Sequence, residues 1–109
     1  MYEITKNEEL ILLAILRLTD NAYGVTIRKN VMDVTKKEIH YGSLYNTLDL
    51  LIRKGYVIAK ESDPESVRGG RRKKLYCLSA DGIKALKEAQ ELQRSAWDGI
   101  PELGIEQVK

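Results

Sequence analysis

Residues 41–55 read Tyr41-Gly42-Ser43-Leu44-Tyr45-Asn46-Thr47-Leu48-Asp49-Leu50-Leu51-Ile52-Arg53-Lys54-Gly55. Leu44, Leu48 and Leu51 fall at i, i+4 and i+7, which is one apolar stripe on a helix that begins at Gly42-Ser43. Gly55 suits the left-handed residue that follows a helix end, and Arg53-Lys54 place cations near the negative end of the helix dipole. Residues 56–61, Tyr-Val-Ile-Ala-Lys-Glu, then read as a strand, and residues 62–70 are rich in turn formers. Residues 73–78 read as a second strand, with Tyr76 and Leu78 on one face and Leu75 and Cys77 on the other. Two strands around a Gly69-Gly70 loop predict a hairpin directly after the leucine-striped helix.

Upstream, Thr5-Lys6-Asn7-Glu8 fits a capping box and predicts a helix to about Leu18 or Thr19. Ile11, Ala14, Ile15 and Leu18 form one stripe, while Leu10, Leu12, Leu13 and Leu16 fill the other faces. A helix this apolar all round is buried on more than one side, and in so short a chain the second side predicts another subunit. Asp20-Asn21 breaks the pattern, and Tyr23-Gly24 opens a second helix to about Val34. Val25, Ile27, Val31 and Val34 are its expected apolar positions, with Arg28, Lys29 and Asp33 outside. These β-branched residues make it weak by propensity, so packing must hold it. Glu38-Ile39-His40 reads as a short strand. Downstream, Ser79 caps a last helix over residues 80–97, which Gly99 and Pro101 stop. The order is helix, helix, short strand, helix, hairpin, helix. It predicts an α+β, mostly helical chain: a winged helix-turn-helix over residues 5–78, a C-terminal dimerisation helix over 79–99 and a short tail over 100–109.

The chain has 109 residues, 43% of them hydrophobic, enough for one domain. Its 18 basic and 16 acidic residues leave a net charge of only +2, so the distribution of charge carries more meaning than its total. One cysteine excludes an internal disulfide and points to a reducing compartment. One histidine and one cysteine do not supply the four protein ligands of a structural zinc site in a monomer. The longest apolar run, Leu10 to Leu16, is far short of the ~20 residues of a membrane span. The first residues do not read as a signal peptide, and the expected location is cytoplasmic. Neither a phosphate-binding glycine loop nor a nucleophile with a base is visible, so neither cofactor nor catalysis is expected.

Between Ser66 and Tyr76 the chain carries Arg68, Arg71, Arg72, Lys73 and Lys74 and no acid, beside Gly69 and Gly70. Such a loop is either a solvated hairpin tip or a device that tracks phosphates and releases counterions; after a helix of recognition type the second reading leads. Opposite the leucine stripe, Ser43, Asn46, Thr47, Leu50 and Lys54 form a candidate groove face, with Arg53 at its edge. Hydroxyl and amide side chains suit base edges and phosphates, and Leu50 suits a thymine methyl. Tyr45, and likewise Tyr23 and Tyr41 at helix starts, are either half-buried packing or hydroxyl donors to phosphate. His40 reads as a surface or hydrogen-bonded histidine and Cys77 as a small strand filler, with a redox role for Cys77 left open by the nearby lysines. The last helix has a small-residue seam, Ala85, Ala89, Leu92 and Ala96, and a bulkier stripe, Ile83, Leu86 and Trp97. Together with Leu10, Leu13 and Leu16 the seam is the expected dimer surface; Trp97 is either an interface anchor or part of an aromatic ligand pocket.

These residues, in this order, resemble the PadR family of bacterial transcriptional regulators. The resemblance is carried by residues 9–16, by Ala22-Tyr23-Gly24 with Ile27-Arg28, and by Gly42-Ser43-Leu44-Tyr45 with Leu48 and Lys54-Gly55. Gly69-Gly70-Arg71-Arg72-Lys73 with Tyr76 and Leu78-Ser79 completes it. It spans about Thr5 to Leu92, and the length is similar to that of the short subgroup with a single C-terminal helix. The resemblance implies a homodimer built through the first and last helices and repression at inverted repeats of double-stranded DNA. It also implies the third helix in the major groove, the wing in the minor groove, and release by a small phenolic or planar effector at the dimer centre. The chain departs from the family pattern at Leu50, where a polar residue is usual, at Lys74, which lengthens the basic wing, and at Asp98-Gly99-Ile100-Pro101, which shortens the last helix. The competing reading is a winged-helix protein-interaction module without specific DNA binding; five adjacent cations speak against it. An enzyme is a distant third.

Overall fold

In the computed structural model, residues 3–61 and 73–103 are described. The elements are α1 (Lys6–Leu18), a 3₁₀ turn (Thr19–Asn21), α2 (Gly24–Thr35), α3 (Tyr41–Arg53), β1 (Val57–Glu61), β2 (Lys74–Leu78) and α4 (Ala80–Trp97). This is a winged helix-turn-helix with one further helix at the C-terminal side. The two strands pair antiparallel, Val57 opposite Leu78 and Glu61 opposite Lys74.

Local signals set most of the boundaries. The Glu8 amide donates to Thr5 Oγ1 at 3.1 Å and the Thr5 amide donates to Glu8 Oε1 at 2.7 Å, so the capping box at α1 is complete. Ser79 Oγ accepts from the Gly82 amide at 3.0 Å and caps α4. Gly55, at φ +83°, takes the left-handed conformation that lets the chain leave α3 and turn into β1.

Ile11, Leu12, Ala14 and Ile15 of α1 form the centre of the core, against Ile27 and Val31 of α2, Leu44, Leu48 and Leu51 of α3, Val57 and Tyr76 of the sheet, and Ala85 and Leu86 of α4. Leu12, set by the sequence on one of the other apolar faces of the first helix, is fully buried, as a helix covered on more than one side requires. Three expectations are corrected here. On α2 the inward face is Gly24, Ile27 and Val31, whereas Val25 and Val34 are about half exposed. Arg28, expected outside, is only 24% exposed. The β-branched pattern does not mark the buried face because the neighbouring helices, not the composition of α2, choose it. Finally, residues 38–40 make no strand. The third β contact is an isolated bridge between Tyr23 and Leu75, reinforced by the Tyr76 amide donating to the Ala22 carbonyl at 2.9 Å.

Candidate nucleic-acid interface

With its leucine stripe in the core, α3 turns Ser43, Asn46, Asp49, Leu50 and Arg53 outward. Leu50 is a large apolar side chain left 39% exposed on this face. Asn46, Asp49, Ile52 and Arg53 line a groove whose far wall is Ala59 of β1 and Lys74 of β2. The base of the hairpin thus brings a cation to the same face as the helix. The sequence pattern does not single out Asp49, and it places Arg53 only at the edge. Their spacing from Asn46, three and seven residues, is the signal that marks them.

Thr47 and Lys54 sit differently from the other residues of the expected groove face. Thr47 is half-buried, its hydroxyl donates to the Ser43 carbonyl at 3.0 Å, and it lines, together with the more exposed Ser43, a cleft with Asn7 and Ile11 of α1 and Val31 of α2. Lys54 is engaged elsewhere: its ammonium donates to Glu8 Oε2 at 2.8 Å and to the Glu3 carbonyl at 3.4 Å. Glu8 is 2% exposed. Burial alone would raise its carboxyl; the Lys54 ammonium and the Thr5 amide outweigh that and hold it below its ordinary 4.5. Lys54 is therefore a tie between the end of α3 and the start of α1.

The tyrosines are packed and polar at once. Tyr23 precedes α2, and the Lys73 ammonium lies 4.1 Å from its ring centroid. Tyr45 is 41% exposed, stacks on Tyr41 at 6.2 Å between centroids, and reaches back to α2 at Gly24. A Cβ at position 24 would overlap the Tyr45 hydroxyl and lie 2.8 Å from its Cζ, so glycine is required for this approach. Tyr76, buried behind α3, has its phenol pushed up by burial, with Tyr45 and Asp49 adding to the effect.

Lys73 and Lys74 stand at the described base of the hairpin; Arg68, Gly69, Gly70, Arg71 and Arg72 lie outside the described residues. On α1, Leu10 and Leu13 are half-buried and Leu16 is 49% exposed. On α4, Ala89 is half-buried, Ala96 is exposed, and Leu92 and Trp97 are the most open large apolar groups of the helix. Ala85, expected in this seam, is fully buried in the chain's own core and has no surface to give a partner. A cleft of about 570 Å³ lies between the start of α1 and α4, lined by Ile4, Thr5, Glu8, Lys54, Ala89 and Leu92 among others. Among the described residues no group of three or more His, Cys, Asp or Glu side chains could hold a metal, and no helix is long and apolar enough to cross a membrane.

The profile of the transcriptional regulator PadR-like family matches residues 12–88. No curated protein matches. Among solved structures, RosR of H. salinarum superposes with a TM-score of 0.72 at 24% identity, covering 91% of this chain and 82% of that one. A transcriptional regulator from Clostridium thermocellum gives 0.67 at 24% identity, with 85% and 87% covered. A PadR family transcription regulator from Clostridium difficile R20291 gives 0.63 at 26% identity, with 82% and 88% covered.

Proposed function

The chain belongs to the PadR-like family of transcriptional regulators, DNA-binding proteins and not enzymes, and on that premise we propose that it is a repressor acting as a homodimer on an inverted-repeat operator. In this reading α3 lies in the major groove, where Ser43, Asn46 and Leu50, with Asp49 and Arg53, meet base edges. The wing, Arg68 through Lys74, lies along the backbone and the minor groove. Tyr23 and Tyr45 support the frame between them. The observation that carries the reading is the outward face of α3: a polar surface with one exposed leucine, beside a hairpin base that brings Lys74 to the same groove.

Dimerisation rests on Leu16, with half-buried Leu10 and Leu13 beside it on α1, and on the outer half of α4, where Leu92, Ala96 and Trp97 are exposed in a single chain. Two-fold symmetry places two copies of α3 about one DNA turn, near 34 Å, apart. A small planar aromatic effector would act at the surface that the paired α4 helices enclose, with Trp97 as its natural stacking partner.

The test is selection of duplexes from a random pool by the purified chain, followed by sequencing. Two inverted half-sites one turn apart are expected. Enrichment of a single unrepeated site would refute the dimeric mode, and no enrichment over the starting pool would refute specific recognition altogether.

A further inference from the structure

Two pairs of residues, each at i and i+4, face one another across the helix-turn-helix. Gly24 and Arg28 stand on α2, Tyr41 and Tyr45 on α3. The Arg28 guanidinium lies 4.6 Å from the Tyr41 ring centroid. Tyr41 stacks on Tyr45, with 20° between the ring planes. The Tyr45 hydroxyl reaches Gly24, one turn before Arg28, and closes the circuit. Arg28 also holds the connection into α3, because its Nε–H donates to the Ile39 carbonyl at 2.7 Å. His40, the residue preceding α3, makes no side-chain cap, so the first turn of this helix lacks the usual local anchor.

We propose that Arg28 is a positioning residue for sequence recognition: it clasps the first turn of α3 through Tyr41, Tyr45 and Ile39 and so sets the angle at which that helix is presented. The proposal rests on the DNA-reading role of α3. It assigns Arg28 a function through its planar shape and its directed N–H, not through its charge on a phosphate. Lysine keeps the charge but supplies neither the flat face nor the fixed fork of donors. Tyr41 in this scheme acts by its ring, so its hydroxyl is dispensable.

The experiment compares Arg28→Lys, Tyr41→Phe and Tyr41→Leu with the unmodified chain. Binding is measured to the duplex that the unmodified chain selects from a random pool and to an unrelated duplex of equal length, over a range of salt. Hydrogen exchange is followed at the amides of Leu44 and Tyr45 in the first turn of α3. Arg28→Lys is expected to lower the ratio of the two affinities about tenfold, the scale of losing one charged hydrogen bond. It should leave affinity for the unrelated duplex and its salt slope unchanged, and speed exchange at Leu44 and Tyr45 but not at Leu48 and Leu51. Tyr41→Phe should behave as the unmodified chain and Tyr41→Leu as Arg28→Lys. Unchanged ratio and exchange in Arg28→Lys would overturn the clasp; so would an equal loss on both duplexes with a shallower salt slope, which would make Arg28 a phosphate ligand. If the pool yields no preferred duplex, the DNA-reading role of α3 fails, and the exchange rates alone decide whether Arg28 holds the helix.

Discussion

Asn46 and Thr47 are neighbours in sequence and face different surroundings. A hundred degrees of helix rotation separates them, and it carries Asn46 onto the open front of α3 while Thr47 turns toward α1 and α2. Asn46→Ala is expected to relax preference at one or two base pairs, by about 1–3 kcal/mol each, measured as the change in affinity across single-base operator variants. A uniform loss over all variants would make Asn46 a positioning group instead. Lys54 presents the same lesson from the other side. Its place at the end of α3, a cation beside Arg53, suggests the groove face, and only the fold shows that buried Glu8 claims it. Glu8 has a folded value below 4.5, so its contribution to stability is complete above 4.5 and is lost as pH falls through the folded value. Tyr76 is raised above 10.0, so its contribution is complete below 10.0 and is lost as pH climbs through the folded value. Urea unfolding as a function of pH should therefore show a plateau bounded on those two sides. Lys54→Met leaves the carboxylate buried without its ammonium and should cost about 2 kcal/mol at neutrality, less than breaking a fully buried pair because Lys54 is a third exposed and the capping box remains. The loss should shrink below 4.5, where burial now favours the protonated acid. A plateau unchanged in the variant would show that the pair contributes nothing.

At the scale of the element, what is written locally is readable from the chain. The capping box of α1, Ser79 before α4, the leucine stripe of α3 and the turn at Gly55 each involve residues within a few positions of one another, and each stands as expected. The inward face of α2 and the third β contact are not readable in this way, because both depend on partners distant in sequence: α1 and α3 choose Ile27 and Val31, and Leu75 pairs with Tyr23 across fifty residues of chain. The hairpin combines the two situations. Its strands fall where alternation puts them, and its base is locked to the start of α2 through Tyr23, with Lys73 above that ring. Replacing Arg71 and Arg72 by Ala should weaken binding to every duplex by a similar factor. It should also flatten the dependence of log affinity on log salt by roughly one unit for each phosphate no longer neutralised. Full retention of both affinity and slope would remove the wing from the interface.

For the molecule as a whole, the question is what covers the apolar surface that the chain does not cover itself. Leu16, Ile83, Leu92 and Trp97 are 41–72% exposed on α1 and α4. Apolar burial is worth about 25 cal/mol per Å², so a two-fold interface of roughly 1,600 Å² strongly favours association. Ala85, expected in the α4 seam, belongs to the core together with Leu86 of the bulkier stripe, because the first half of the helix packs on the domain and the second half does not. Ala89, half-buried at the border between the two, is the position where a charge should separate subunits while the core stays intact. The central claim is that two chains act together at one operator, and sedimentation equilibrium at micromolar concentration tests it most directly. The unmodified chain should run at twice its monomer mass and Ala89→Glu as a monomer that no longer discriminates the selected inverted repeat. An unmodified chain that sediments as a monomer, or an Ala89→Glu monomer that binds the repeat with full affinity, would contradict it.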